Sequence, residues 1–411
     1  MSAPRQLRPA FPPCPLSQQL DPEACLLFLA SRVHSSTDVD AQVAEISRTV
    51  GDWSRVATLG DLNRVLPLLY RTLHRCRVEG IPVRSFQALK GQVAITAMRN
   101  EGAIEELARL QQSFDKRGLR VLHYKGATVA LRFYGELSLR TFHDMDFLIE
   151  AADIGVVCEV LEASGYSNSE RLSKRELELH EAEQKEFLFQ KRGFNVEPHW
   201  KFTPRRFEFE IDYAGIWQRA PVIQVADAKL LVPATEDALV LMMLVGAAGF
   251  WKRLQMLADI AAVTNGPEPI NWVTVEAEMK RLRATRVLYV AALLANMLCG
   301  ADVPVTILDA ARGDPMVVEM ATQVTKTISD PQLSRANADL LPWKFQWLLW
   351  GMRDGWRDRL VYLFRTLTTP TSLHTRRMPL PRFLTALYVV LVPVHDYLLV
   401  PAFRMFRKQP H

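Results

Sequence analysis

The chain has 411 residues, of which 49% are hydrophobic and 23% charged; this excludes a disordered protein and leaves room for two or three domains with a sizeable core. The net charge of +5 suits a protein that handles phosphates but is too dilute to argue for nucleic acid. The five cysteines, Cys14, Cys25, Cys76, Cys158 and Cys299, include no CxxC pair and no zinc spacing, so neither a disulfide framework nor a zinc site is expected.

Residues 1–20 are proline-rich and lack an apolar h-region. They read as a flexible arm, not a secretory signal, and a cytoplasmic location is expected. Residues 21–118 read as a helical region. Pro22 opens its first helix, and the stretch 59–76 sets Leu62, Val65, Leu66, Leu68, Leu69 and Leu73 on a helical period. A long helix is predicted over 84–116, stopped near Gly118.

The pattern then changes, and residues 119–232 read as a small mixed sheet with helices packed on it. Leu119–Tyr124 is a short apolar strand, followed by Lys125-Gly126 and a helix to about Tyr134. Residues 143–149, His-Asp-Met-Asp-Phe-Leu-Ile, form the next strand. A helix over 151–164 is closed by Gly165. Strands at 185–190 and 194–200 form a hairpin around Lys191-Arg192-Gly193, and two short strands flank Asp227 and Lys229.

Residues 233–340 read as a second helical domain, with helices at 234–248, 251–264 and over 271–299, broken at Asn265-Gly266-Pro267. Residues 341–411 are basic and apolar. Arg353, Arg357, Arg359, Arg365, Arg376 and Arg377 supply charge, and 383–403 is an apolar run. That run holds Pro393, His395, Asp396 and Pro401, too many interruptions for a membrane span. It reads as a packed helix; an interfacial helix flanked by Arg404, Arg407 and Lys408 is the alternative.

The chemistry centres on Asp144 and Asp146. Residues two apart on a strand share a face, so the two carboxylates project together and repel unless a cation lies between them. Mg²⁺, or Mn²⁺ in its place, suits that geometry together with substrate phosphates. Phosphoryl and nucleotidyl transfer need metal, positioning and positive charge more than covalent help. A third acid is expected from the hairpin, and Glu197 is preferred over Asp212, which lies past a helix. His199 shares the face of Glu197 and would orient substrate or aid proton transfer. Lys125-Gly126 offers a phosphate seat where a strand meets a helix, and Arg140 would clamp a phosphate. Each piece alone has a bland reading: solvated acids, a turn, a satisfied histidine, a structural ion pair.

Their order resembles the nucleotidyltransferase superfamily of polymerase β and the aminoglycoside nucleotidyltransferases. More narrowly it is similar to a bacterial family of uncharacterised nucleotidyltransferases, through Tyr124-Lys125-Gly126, Arg140, Asp144-Met145-Asp146 and Glu197-Pro198-His199-Trp200. Trp251-Lys252-Arg253-Leu254 and Leu257-Ala258-Asp259-Ile260 extend the likeness across roughly 25–300. The resemblance implies an α/β (α+β) fold, a small mixed sheet embedded between helical parts. It also implies transfer of a nucleoside monophosphate from an NTP, ATP foremost, to an acceptor hydroxyl, phosphate or carboxylate, with pyrophosphate release. Asp144 and Asp146 would bind Mg²⁺, with Glu197 as third ligand or general base. Lys125, Gly126, Arg140 and His199 would hold the nucleotide.

Two departures stand out. Lys125-Gly126 replaces the superfamily's usual Gly-Ser, and Glu197 with Pro198 stands where many relatives have Asp. Proline removes a ladder donor, so that strand is expected at a sheet edge. Asp259 is too far from Arg253 for a helix pair and is expected to cap or to bridge domains. The acceptor is open: a small molecule, a sugar or a peptide. A non-catalytic nucleotide-binding protein and a toxin-like enzyme acting on tRNA or protein are the rival readings.

Overall fold

The computed structural model describes residues 20–168, 186–335, 343–370 and 380–395, with His374 and Met378 besides. The expected N-terminal arm, Arg376 and Arg377, and the end of the apolar run with Arg404, Arg407 and Lys408 lie outside the described residues.

The fold is a mixed α/β architecture: one seven-stranded sheet with helices packed on it and a large helical body beside it. The strands are β1 (Leu122–His123), β2 (Asp144–Leu148), β3 (Ser167–Asn168), β4 (Phe189–Lys191), β5 (Phe194–His199), β6 (Val222–Val225) and β7 (Ala228–Leu231). Their order is β3-β4-β5-β2-β1-β7-β6. β2 runs parallel to β5 and β1 parallel to β7, and the remaining pairs are antiparallel.

One face of the sheet is a core. Met145, Phe147, Phe189, Val196 and Leu230 pack there against Leu107 and Phe114 of the long helix Val83–Lys116 and against Val157 and Leu161 of the helix Ile154–Ala163. Phe114 meets Phe147 edge to face at 5.2 Å, a geometry favoured by the ring quadrupoles. Alternation along β2 and β5 then sends Asp144 and Asp146, and Asn195, Glu197 and His199, to the opposite face.

Pro198 does not mark an edge: β5 lies between β4 and β2. The missing donor falls on the β4 side, where regular pairing ends at Phe189. There Pro198 O accepts from Phe187 N at 3.3 Å, and no reciprocal amide exists to be left unpaired. The stretch 59–76 also differs from its single period. It divides into Trp53–Leu62 and Leu66–Arg75, with Arg64 between them in the left-handed region at φ 57°. Asn63 holds the break. Its side chain donates to Leu59 O and Ile328 O, each at 3.0 Å, and accepts from Leu254 N at 2.9 Å.

The N-terminal helices and those after Thr235 share one hydrophobic core. Leu26, Phe28, Leu59 and Leu69 pack in the same cluster as Leu244, Trp251, Ile260 and Leu294. Trp251 is fully buried, with Gly246 so close that a Cβ there would meet the indole Nε1 at 2.2 Å. Phe250 and Trp251 are both left-handed, at φ 55° and 41°, strain that packing must hold in place. The turn they make presents Arg253 immediately before the helix Leu254–Thr264.

Candidate active site

The parallel register of β2 and β5 sets Asp144 opposite Asn195, Asp146 opposite Glu197 and Leu148 opposite His199. Neighbouring strands are about 4.8 Å apart, so registered side chains on one face must meet. Ligand atoms of Asp146, Glu197 and His199 all lie within 4.8 Å of one another. His199 is fully buried, with Nε2 3.0 Å from Asp146 Oδ1 and 3.7 Å from Glu197 Oε2. Its Nδ1 lies 2.9 Å from Glu186 Oε2, so a third acid backs the ring. Asp144 stands on the same strand face but outside this tight group, and its Oδ1 accepts from Asn195 Nδ2 at 3.0 Å.

Lys125 follows β1 and reaches across to Asp146 Oδ1 at 3.1 Å. Burial disfavours charge on both groups, but their mutual attraction wins. Lys125 is raised, and Asp146, helped further by His199, is held well below the usual carboxylate range. Glu197 moves the other way. Burial pushes its pKa up, His199 opposes, and the negative charges of Asp146 and Glu186 add to the rise. The pKa values of two neighbouring carboxylates are thus moved in opposite directions, Asp146 by its cations and Glu197 by burial and nearby acids.

Gly126 sits at φ 64°, and a Cβ there would meet Asp144 O at 3.3 Å. The loop therefore passes against the β2 backbone, and glycine is required twice over. Thr128 fastens the turn by donating to Lys125 O at 3.0 Å and His123 O at 3.3 Å.

Arg140 is not free to clamp a phosphate. It is buried, its Nε and Nη2 donate to Asp259 at 2.7 and 2.8 Å, and its Nη1 donates to Gly126 O at 3.4 Å. Tyr134 donates to the same Asp259 at 2.7 Å. Burial opposes the charge of Arg140, but Asp259 outweighs it and raises the guanidinium. Arg140 therefore braces the Lys125-Gly126 turn, and Asp259 bridges the helical body to the sheet. Asp212 caps the helix Tyr213–Arg219, accepting from Gly215 N at 2.9 Å, and takes no part in the acid group.

Three arginines surround Asp144; Arg253 belongs to the Trp251-Lys252-Arg253-Leu254 stretch of the resemblance, whereas Arg64 and Arg99 stand in no quoted motif. Arg99 projects from the long helix and donates to Phe142 O at 2.6 Å while meeting His143 Nδ1. Arg64 and Arg253 are brought side by side because Asn63 clasps the start of the helix Leu254–Thr264 through Leu254 N and Gln255 N. Gln255 in turn donates to Thr141 O at 2.6 Å, tying that helix to the approach of β2. Burial lowers all three guanidiniums, Arg64 to about 10, with Arg253 adding to the fall of Arg64 and Asp144 opposing it in each. Loss of solvent and these three cations hold His143 down to about 4. Among the described residues neither Arg64 nor Arg253 has an ion-pair partner. Half-buried cations left unpaired and repelling each other are costly unless an anion joins them.

Residues 49–300 match the model of a family described as uncharacterised nucleotidyltransferase. The chain belongs to that family. The match covers the sheet, the acid face and the residues Arg64, Arg99, Arg253 and Asp259. No curated protein and no solved structure matches the chain. Of the family-like motifs, the acids and Lys125 lie on the open face, whereas Arg140, Trp251 and Asp259 of this nucleotidyltransferase lie beneath it.

Proposed function

We propose that this nucleotidyltransferase moves a nucleoside monophosphate from an NTP, ATP being the first to test, to an acceptor hydroxyl, with release of pyrophosphate. The observation that carries the reading is the β2–β5 register. It sets Asp146 beside Glu197 with His199 at hydrogen-bond distance, in a chain of this family. The donor set fits a divalent cation: two adjacent carboxylates, one with its pKa raised by burial and further by the charge of the other, and Asp144 on the same face. Asp146 and Glu197, with Asp144, would hold Mg²⁺ or Mn²⁺, hard cations that prefer carboxylate oxygen. Once bound, such an ion supplies Lewis acidity at the phosphoryl oxygens and screens their charge.

The chain's own residues do the rest. His199 fixes the orientation of Asp146 and is itself fixed by Glu186. Lys125, beside Asp146, supplies positive charge to the phosphates. Arg64, Arg99 and Arg253 seat the triphosphate, the anion their own field lacks, in the place first expected of Arg140. Gly126 allows a phosphate to approach the backbone. In the transfer, the acceptor oxygen bonds to the α-phosphorus as the bond to the bridging oxygen breaks, and pyrophosphate leaves. Glu197 serves as third ligand or, in the alternative, as the general base that takes the hydroxyl proton. A cytoplasmic setting would supply the NTP.

The test is pyrophosphate release from each of the four NTPs with Mg²⁺ and candidate acceptors. Asp146→Asn is expected to lower the rate roughly 10²- to 10³-fold, the scale for losing one preorganised electrostatic group. If the purified chain neither releases pyrophosphate nor binds any NTP, the reading fails; if Asp146→Asn keeps full activity, the site assignment fails.

A further inference from the structure

Three carboxylates from neighbouring stretches of chain meet one buried imidazole. Alternation along β5 puts Glu197 and His199 on the same face, and the β2–β5 register sets Asp146 opposite Glu197. On the other side of β5, Glu186 bridges to His199 in antiparallel register. The imidazole is fully buried. Tyr124 fixes its plane, meeting it edge to face at 5.4 Å and 85°, a geometry that aromatic rings favour.

The two ring nitrogens have different surroundings. Nδ1 lies 2.9 Å from Glu186 Oε2. A proton on Nδ1, donated to that carboxylate, sets the tautomer whose Nε2 lone pair faces Asp146 and Glu197. A carboxylate behind the far nitrogen is the arrangement that orients metal-bound histidines. On the near side, Nε2 is 3.0 Å from Asp146 Oδ1 and 3.7 Å from Glu197 Oε2. The three donor atoms all lie within 4.8 Å of one another. An octahedral ion with bonds near 2.1 Å separates adjacent ligands by about 3.0 Å, and a tetrahedral one by about 3.4 Å. The spacing therefore suits one ion shared by all three. Lys125 Nζ, 3.1 Å from Asp146 Oδ1, does not exhaust that carboxylate, which offers about four lone-pair positions.

We infer that His199 Nε2 is itself a metal ligand, so that the acid face holds its ion through one nitrogen and two carboxylates and prefers a divalent transition ion, Mn²⁺ being the one to test, over Mg²⁺. The inference rests on the divalent cation of the proposed function and adds a ligand to it. Mg²⁺ takes hard oxygen ligands and keeps several waters, whereas imidazole shifts a site toward transition ions. Glu186 is then a positioning residue: it never touches the ion but holds the imidazole in the ligating tautomer.

The test needs no turnover. Mn²⁺ and Mg²⁺ are titrated calorimetrically into the metal-free full chain without nucleotide, and pulsed electron paramagnetic resonance is recorded on the Mn²⁺-loaded protein carrying ¹⁵N-histidine. Mn²⁺ is expected to bind roughly tenfold or more tightly than Mg²⁺ and to show nitrogen coupling. His143→Gln, which changes the exposed histidine next to Asp144, should leave that coupling in place. His199→Gln should abolish it and bring the two affinities together, with circular dichroism to check the fold. Glu186→Gln should keep the coupling and weaken Mn²⁺ about 10- to 100-fold. Mn²⁺ bound without nitrogen coupling leaves His199 a hydrogen-bonded brace and overturns the inference, while the carboxylate site of the proposed function stands. Coupling that vanishes in His143→Gln, or a folded His199→Gln that keeps both coupling and preference, overturns it as well. Binding of neither ion also overturns it, and nucleotidyl transfer is then judged separately by pyrophosphate release and NTP binding.

Discussion

Neutralising Asp259 separates structural bracing from chemistry. Three donors converge on it: two from Arg140 at 2.7 and 2.8 Å and the Tyr134 phenol at 2.7 Å. All three residues are buried. Asp259→Asn keeps the shape but turns an amide donor toward the guanidinium and leaves the Arg140 charge uncompensated, a loss of about 3–5 kcal/mol. Tyr134→Phe removes one hydrogen bond to a charged acceptor that keeps its ion pair, a loss of about 1.5–3 kcal/mol. Replacing both ions, Arg140→Met with Asp259→Leu, removes attraction and desolvation together and should return most of the stability. Urea unfolding followed by circular dichroism measures all three. Activity should diverge from stability, because the apolar pair no longer supports Gly126 O. Pyrophosphate release should stay depressed in the refolded double variant. A single variant within about 1 kcal/mol of the parent, or a double variant no more stable than Asp259→Asn, would refute the account of Arg140 as a buried brace.

Arg64→Gly should raise stability by about 0.5–1 kcal/mol, since it relieves a left-handed residue and removes an unpaired cation, yet raise KM for NTP about tenfold or more; equal KM values would remove Arg64 from the triphosphate seat. Gly126→Ala should cost about 1–3 kcal/mol and lower kcat, because the new methyl strains φ and presses on Asp144 O; an unchanged melting temperature would contradict the close approach. The acid pair gives a signed pH dependence. Asp146 is depressed in the folded protein, so its contribution is present above the unfolded carboxylate value and lost as pH falls through the lower folded one. Glu197 is raised, so its contribution is present at low pH and lost as pH rises through its folded value. Glu197→Gln should therefore stabilise the metal-free protein at pH 7. Mg²⁺ should stabilise the parent by about 2.7 kcal/mol at a hundred times its dissociation constant and EDTA should reverse it; thermal shifts that ignore both would count against a cation at this pair.

The fold was legible wherever local pattern and local chemistry agree. The long helix, the β4–β5 hairpin and the break at Asn265-Gly266-Pro267 follow from apolar period and turn residues, and they stand where expected. Two local rules were overridden by neighbours. Pro198 marks an edge only if its strand has two full ladders to satisfy, and here β4 thins out at that position. The leucine period over 59–76 continues through Asn63-Arg64, because period reports burial and not backbone continuity. The helix is cut by hydrogen bonds from Asn63 to Leu254 and Ile328, partners some two hundred residues away or more.

The same distance explains which parts of the site could be read. Asp146, Glu197 and His199 converge through one strand pair, and alternation alone puts them on a common face. Arg140 has a motif position like that of a phosphate clamp, and what decides its role is Asp259, 119 residues later. From sequence that partner reads only as a cap or a bridge between domains. Arg64, Arg99 and Arg253 have no shared motif at all. Their convergence depends on a left-handed residue, on the clasp of Asn63 and on two further strained residues, Phe250 and Trp251. Strain kept at three positions to aim two unpaired arginines at an acid strand is not a solution that stability favours. It makes sense once an anion occupies the space between them, which is why the triphosphate belongs there and why Arg64→Gly should gain stability as it loses affinity.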